Sequence, residues 1–323
     1  MRAVLCKELG PPESLVVEDV PDLVAEPGTV VIDVKAAGVN FPDTLVIQGQ
    51  YQFKPELPFS PGGEVAGIVR AVGGGVDGIE RGKRVIAITG SSGGFAEQAR
   101  VLPMQIIPMP DGMDFPEAAG LVFTYATSHY ALRDRARIQP GESLLVLGAA
   151  GGVGLAAVQI GKALGARVIA AASSKEKLQV CADAGADELI DYANEDLRAR
   201  LKDVAPDGID VVYDPVGGEY AETALRRMAW DGRFLVVGFT AGIPRLPLNL
   251  VLLKSCQIVG VFWGAFTMRD PARNKELMAE LLGWAADGTV KPHVSKTYRF
   301  EEAADALNDL MQRKVRGKAI LVP

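Results

Sequence analysis

Residues Leu145 to Gly154 read Leu-Val-Leu-Gly-Ala-Ala-Gly-Gly-Val-Gly, an apolar run that breaks at small residues and resumes at helical spacing. A strand, a glycine turn and a helix in that order present free N–H groups and the positive end of a helix dipole, the arrangement that holds a pyrophosphate. The pattern is Ala149-x-Gly151-x-x-Gly154, with alanine at the first position of the triple-glycine fingerprint. Alanine is small enough to keep the dinucleotide reading, with contacts expected from Ala150, Gly151, Gly152, Val153 and Gly154.

About 20 residues further on, an NAD-reading unit carries an acid for the ribose hydroxyls. Here the second strand runs into Ala172-Ser173-Ser174-Lys175-Glu176-Lys177, with no carboxylate at its end. Ser173, Ser174 and Lys177 could instead bind a ribose 2′-phosphate through charge-assisted bonds, which favours NADPH. The competing reading makes a serine the helix cap and the lysines a solvated face. Tyr192, after the third strand, is a further candidate for that pocket, with packing as its alternative. Ligands of doubly wound sheets sit beyond the carboxyl ends of the strands. Val216 after the fourth strand, Gly238, Phe239 and Thr240 after the fifth, and Phe262, Trp263 and Gly264 after the sixth are therefore expected at the cofactor. Phe262 and Trp263 read equally well as core or dimer aromatics.

These residues need elements to hold them. From residue 142 the chain alternates strands at 143–147, 167–171, 188–190, 210–213, 233–237 and 257–261 with helices at 153–164, 174–184, 195–204 and 220–229. That rhythm predicts a parallel doubly wound sheet. The first third reads as short strands separated by glycine and proline turns, which predicts a barrel-like or sandwich-like β domain, followed by a helix over 115–131 capped by Asp114. Two helices at 271–286 and 300–313 and a strand at 318–322 form a tail expected to return to the first domain.

Composition narrows the classes. The chain has 323 residues, 48% apolar and 23% charged, enough for a large core and two domains. No apolar run reaches the roughly 20 residues of a membrane span, and the first residues read as a strand rather than a leader. A net charge of −6 without a basic run argues against nucleic acid as a partner. Cys6, Cys181 and Cys256 are scattered without metal-ligand spacing, which suits a reducing compartment, so a cytoplasmic location is expected.

With these residues placed, the chain resembles the quinone oxidoreductase (zeta-crystallin-like) group of zinc-free medium-chain dehydrogenase/reductases. The resemblance rests on Gly141-Glu142-x-x-Leu145-x-x-x-Ala149-Ala150-Gly151-Gly152-x-Gly154 with Gln159 and Lys162, on Gly38-Val39-Asn40-Phe41-Pro42-Asp43, on Pro61-Gly62-Gly63-Glu64-x-x-Gly67, and on Gly317-Lys318. Residues 249–254 and Val261-Phe262-Trp263-Gly264 look closest to the quinone oxidoreductase-like branch. The resemblance implies an α/β protein: a GroES-like β-rich catalytic domain of residues 1–122 and 265–323, and a Rossmann doubly wound parallel-sheet domain of residues 123–264 that binds NADPH. It implies an active cleft between them, a quinone or enone substrate and a homodimer.

It also implies a site. Zinc-dependent relatives place cysteine and histidine where this chain has Asn40 and Gly63, and neither replacement supplies a zinc ligand. No metal is expected, and hydride transfer to an already electrophilic quinone or α,β-unsaturated carbonyl suits such a site. Asn40, Asp43 and Tyr51 are carried over as catalytic residues, and Asn40, Thr127 and Lys318 as cofactor contacts. Their plainer readings are a turn residue for Asn40, an exposed loop acid for Asp43, core packing for Tyr51 and a helix cap for Thr127. Glu64 reads mainly as structural. The alternatives in function are an enoyl-thioester reductase and a non-catalytic, crystallin-like NADPH-binding protein.

Overall fold

The computed structural model describes every residue from Met1 to Pro323. The chain divides into two compact units, Met1–Phe123 with Lys291–Pro323, and Thr124–Val290.

The first unit is organised by the strand Val30–Val39, whose Val, Ile and Ala side chains are buried along almost the whole run. It pairs antiparallel with Glu64–Val72 along one edge, and with Gln98–Val101 and Lys318–Val322 along the other. Arg84–Ile88 and Ile106–Pro108 extend the sheet on one side, and Val294–Arg299, parallel to Lys318–Val322, closes the other. The core beneath it gathers Val4, Ile32, Ile47, Phe95, Tyr298, Phe300 and Leu307. The chain's final strand is thus an interior strand, flanked on both sides.

The second unit is a six-stranded sheet, parallel throughout: Ser143–Leu147, Arg167–Ala172, Glu188–Asp191, Ile209–Asp214, Met228–Val236 and Gln257–Gly260. Counting them in chain order, the spatial order is 3-2-1-4-5-6, the doubly wound arrangement the alternation predicts. Its first strand is buried at every position, as a strand covered on both faces must be. Helices Gly152–Ala163, Lys175–Asp183, Leu197–Val204 and Gly218–Arg226 follow the first four strands. Ser174 caps the second helix by accepting the Lys177 N–H, and Asp196 caps the third through the Arg198 and Ala199 N–H groups.

Three expectations are revised. The helix expected over 115–131 stops at Gly120 after Phe115–Ala119, although Asp114 does cap it. It continues through two π-helical stretches, Val122–Ala126 and Tyr130–Arg135, around the short helix Thr127–His129. The Phe123 N–H at its start donates sideways to the Glu64 carboxylate. Second, the return to the first unit comes at Lys291, not after Gly264. The reason lies in the helix Pro271–Ala286, which is bound within the second unit. Arg273 makes a bidentate pair with Asp134, Glu280 takes both His129 and Arg133, and the Trp263 indole N–H donates to Asn274. Third, the segment expected as a helix over 300–313 begins with a 3-10 turn, Phe300–Glu302, before the helix Ala303–Met311. No helix is long and apolar enough to cross a membrane.

Candidate functional site

The first unit carries a buried polar cluster where apolar packing would otherwise be expected. Glu64 is fully buried, and Lys318 and Asp43 are 3% and 2% exposed. Lys318 Nζ donates to Asn40 Oδ1 at 2.7 Å and to Glu64 Oε1 at 2.7 Å. Asn40 Nδ2 donates to Glu64 Oε1 at 3.1 Å and to Gly38 O at 3.3 Å. The second Glu64 oxygen accepts the Phe123 N–H at 2.8 Å. Each charge therefore meets an opposite charge and further hydrogen bonds, the condition under which ions tolerate burial. Asn40 is locked amide oxygen to lysine and amide nitrogen to carboxylate, so its rotamer and flip state follow from the cluster.

Asn40 also sits at the start of the helix Phe41–Ile47, a helix absent from the elements expected from the sequence. Asp43, at the third position of that helix, accepts the Asn40 N–H at 2.7 Å. Asn-Phe-Pro-Asp is half of a capping box with proline in the first turn, a local signal able to reveal it. Burial is the main influence on the Asp43 carboxyl, and it raises the pKa from 3.8 to about 7. The Asn40 and Gly62 N–H groups and the Lys318 ammonium pull the other way, while Glu64 adds to the rise. Tyr51 is half-buried, packs against the first unit's core, and lies 6.2 Å from the Phe53 ring. Burial, then the charge of Asp43, pushes its hydroxyl above the ordinary range. A carboxyl able to hold a proton near neutrality and a tyrosine that feels its charge, beside an amide of fixed orientation, together suit the protonation or hydrogen bonding of a carbonyl oxygen.

In the second unit the predicted residues follow the carboxyl ends of the parallel strands. The turn after the first strand has Gly151 as the cap of Gly152–Ala163; its own N–H donates to Gly148 O at 3.0 Å, and Ala150, Gly152, Val153 and Gly154 offer backbone N–H groups at the helix start. A Cβ on Gly154 would come within 2.4 Å of Gly148 O, so glycine is demanded there by the close approach of helix and turn. A Cβ on Gly151 would meet nothing nearer than Gly148 O at 3.4 Å, which leaves the space before it open to a ligand. After the second strand, Lys177 Nζ donates to Ser173 Oγ at 3.0 Å, while Ser174 serves as the helix cap. Tyr192 packs against Tyr220, ring centroids 4.6 Å apart, after the third strand.

Beyond the fourth strand, the Asp214 carboxylate accepts the N–H groups of Val216 and Gly217, both at 2.8 Å, and burial holds its pKa above the usual carboxylate range. Asp214 escapes sequence reading, since a strand-ending acid has no distinctive spacing. Thr240 Oγ1 reaches Pro215 O at 3.4 Å, which joins the turns after the fourth and fifth strands beside Gly238. Phe239 and Phe262 are partly exposed, whereas Trp263 is buried with its indole committed to Asn274, a packing position. Gly264 follows in the same helix, Trp263–Arg269. Thr127 opens the helix Thr127–His129. Lys318, expected as a cofactor contact, is found in the first unit's ion cluster.

Comparison with known proteins bears on this geometry. Residues 26–111 match the family described as alcohol dehydrogenase GroES-like domain, and residues 152–283 the family described as zinc-binding dehydrogenase. Quinone oxidoreductase-like protein 2 homolog of Nematostella vectensis is 39% identical over 99% of this chain and 88% of its own. Quinone oxidoreductase of Rattus norvegicus is 35% identical over 100% of this chain and 98% of its own. The chain belongs to the quinone oxidoreductase family of medium-chain dehydrogenase/reductases. A solved family structure, that of Escherichia coli quinone oxidoreductase complexed with NADPH, superposes with a TM-score of 0.91 at 30% identity, covering 100% of both chains. The GroES-like and Rossmann-type assignments made from the sequence agree with these family matches.

Two outcomes follow from the buried ion cluster of the first unit. Lys318→Met strands the buried Glu64 charge and lowers stability by about 3–5 kcal/mol in chemical denaturation, and adding Glu64→Gln recovers part of that loss. A loss under about 1 kcal/mol would show that the pair carries no such burden. Asp43 sets a pH dependence whose sign follows from its raised pKa. Between 3.8 and about 7 the folded state keeps a proton that the unfolded chain releases, so stability falls as pH rises through this window and levels off above it. Asp43→Asn removes that slope, measured as denaturation midpoints across the same window; a slope unchanged in the variant would assign it to another group.

Proposed function

We propose that this protein is an NADPH-dependent reductase of quinones or α,β-unsaturated carbonyls that works without zinc. The observation that carries the reading is the end of the second strand of the parallel sheet. There Lys177 Nζ and Ser173 Oγ lie 3.0 Å apart, and no carboxylate follows Ala172 to claim a ribose hydroxyl pair. An ammonium and hydroxyls at that position suit a 2′-phosphate. The residues fit the remainder of the dinucleotide too, because the face of Gly151 is open where a pyrophosphate would approach the helix start. The Escherichia coli relative, a quinone oxidoreductase solved in complex with NADPH, supports the same assignment.

When bound, the reduced nicotinamide supplies hydride, and the chain's own residues supply position, hydrogen bonds and protons. Ala150, Gly152, Val153 and Gly154 hold the pyrophosphate through backbone N–H groups, and Gly151, whose N–H is spent on Gly148 O, lets it approach. Ser173, Ser174, Lys177 and Tyr192 hold the phosphorylated ribose end. Thr127, Val216, Gly238, Phe239, Thr240, Phe262 and Gly264 border the rest, with Trp263 packed behind them. Asn40, its orientation fixed by Lys318, can donate to the substrate carbonyl or the nicotinamide amide once its Nδ2 gives up the 3.3 Å bond to Gly38 O. Asp43 holds a proton in reach of neutral pH, and Tyr51 hydrogen-bonds or stacks on the acceptor. The donor set speaks against zinc at this place: the Lys318 ammonium, 2.7 Å from Asn40 Oδ1, would repel a dication.

The acceptor partner is a small molecule. A second copy of the chain is proposed as the other partner, meeting the outer edge of Gln257–Gly260. That strand ends the sheet, with Ile258 on it and Leu252 and Leu253 exposed on the helix leading into it. An apolar sheet edge left in water invites pairing with another strand. Sedimentation should give twice the chain mass, and Ile258→Lys should return the monomer; a wild-type monomer at micromolar concentration rejects the pairing.

Activity is tested by following NADPH oxidation against a panel of quinones and enones. Turnover with NADPH well above NADH is expected, and Lys177→Ala should raise KM for NADPH about tenfold with little change for NADH, the worth of one charge-assisted contact. No oxidation with any acceptor rejects the activity, and equal effects on both nucleotides reject the 2′-phosphate assignment.

A further inference from the structure

Ser128 is not among the residues expected at the cofactor, yet it ties its neighbour Thr127 to two other segments that are. It is completely buried, and its Oγ lies 2.8 Å from Val153 O, 3.0 Å from Thr124 O and 2.8 Å from the Tyr213 hydroxyl. A serine hydroxyl has one proton, and carbonyl oxygens only accept. Either hydroxyl could donate to the other, but Ser128 is the one hydrogen-bond partner of the Tyr213 hydroxyl, so the arrangement that satisfies both protons has Tyr213 donating to Ser128 and Ser128 to a carbonyl, the nearer being Val153 O. The chain of bonds then runs Tyr213 O–H to Ser128 Oγ, and Ser128 O–H to Val153 O. Tyr213 is itself fully buried, and burial raises its hydroxyl well above the ordinary range, so it stays a donor.

Each end of this chain lands beside a nucleotide segment. Val153 lies in the first turn of Gly152–Ala163, the turn whose N–H groups follow the glycine loop. Ser128 is the neighbour of Thr127 in the helix Thr127–His129. Tyr213 immediately precedes Asp214, whose carboxylate holds the N–H groups of Val216 and Gly217. Backbone N–H groups bind an anion only when held within a few tenths of an ångström of the right place, and the support for that must come from neighbouring residues. The two-π-turn helix of residues 122–135 has irregular hydrogen bonding of its own and needs an outside anchor. We infer that Ser128 and Tyr213 are positioning residues, which lock the Thr127 helix, the glycine loop and the Val216 turn in one register for nucleotide binding. This rests on the dinucleotide reading above.

The test titrates NADPH into the wild-type chain, Ser128→Ala, Tyr213→Phe and, as a control, Tyr298→Phe. Tyr298 is buried in the first unit and gives its hydroxyl to Asp309 at 2.8 Å, so its variant loses a bond of the same kind away from the loop. Ser128→Ala and Tyr213→Phe should each weaken NADPH binding and raise its KM about fivefold, the factor equivalent to one hydrogen bond, with kcat at saturating NADPH and KM for the acceptor held. Tyr298→Phe should lower thermal stability without moving either constant. Should Ser128→Ala fail to fold, Tyr213→Phe, which keeps the ring, decides alone. Wild-type affinity in the two variants, or a fall in kcat with KM unmoved, overturns the positioning role only. Absence of NADPH binding by the wild-type chain overturns the dinucleotide reading and the inference together.

Discussion

The architecture of the first unit hangs on burying Glu64. A carboxylate with no exposure is costly unless a cation and hydrogen-bond donors reach it, and here they come from three distant parts of the chain: Lys318, Asn40 and the Phe123 N–H. Because Lys318 opens the last strand, Lys318–Val322 must lie beside Val30–Val39 for the charge to be met. That need explains why the first unit is built from both ends of the chain. The same cluster orients Asn40 and, through the start of Phe41–Ile47, places Asp43.

The second unit solves a different problem, packing a helix start closely against the turn after its first strand. Close approach of Gly154 to Gly148 O brings helix and turn together, and the open face of Gly151 leaves room for the ligand. Side chains enter as braces. Asp214 orders the turn after its strand, Lys177 lies on Ser173, and Ser128 reaches across to Val153. The irregular helix of residues 122–135 is tied on one side to Gly152–Ala163 and on the other to Pro271–Ala286. The latter ties draw residues 265–290 into this unit.

What a sequence makes legible is whatever depends on near neighbours in the chain. The glycine turn, the strand–helix alternation, the Asp114 cap and the missing acid after Ala172 are all local patterns, and each is visible there. Asn40 stands out by motif, and its place as a helix cap is equally local, since Asp43 and Pro42 announce one. The structural reading of Glu64 agrees with its burial. Its bond to Lys318, however, joins residues 254 positions apart, and no spacing rule reaches that far. Ser128 and Tyr213, 85 positions apart, are invisible for the same reason, since a serine in a helix and a tyrosine in a buried strand are commonplace. The boundary at Lys291 depends on pairs such as Arg273 with Asp134, equally remote in the chain. The strand Val294–Arg299 escapes notice because its lysine, threonine and arginine look like a surface loop until Lys318–Val322 lies beside it.

The late position of Lys318 has a consequence for biogenesis. A ribosome delivers residues in order, and domains tend to fold as they emerge. The parallel sheet, complete by residue 260, can assemble while the carboxyl-terminal strands are still in the exit tunnel. Its companion cannot: the acid at position 64 waits, without its counter-ion, for 254 further residues to be made. During that interval Gln98–Val101 covers Val30–Asp33, while Ala37–Val39 of the long strand lack their partner, an open edge suited to chaperone contact until Lys318–Val322 is made.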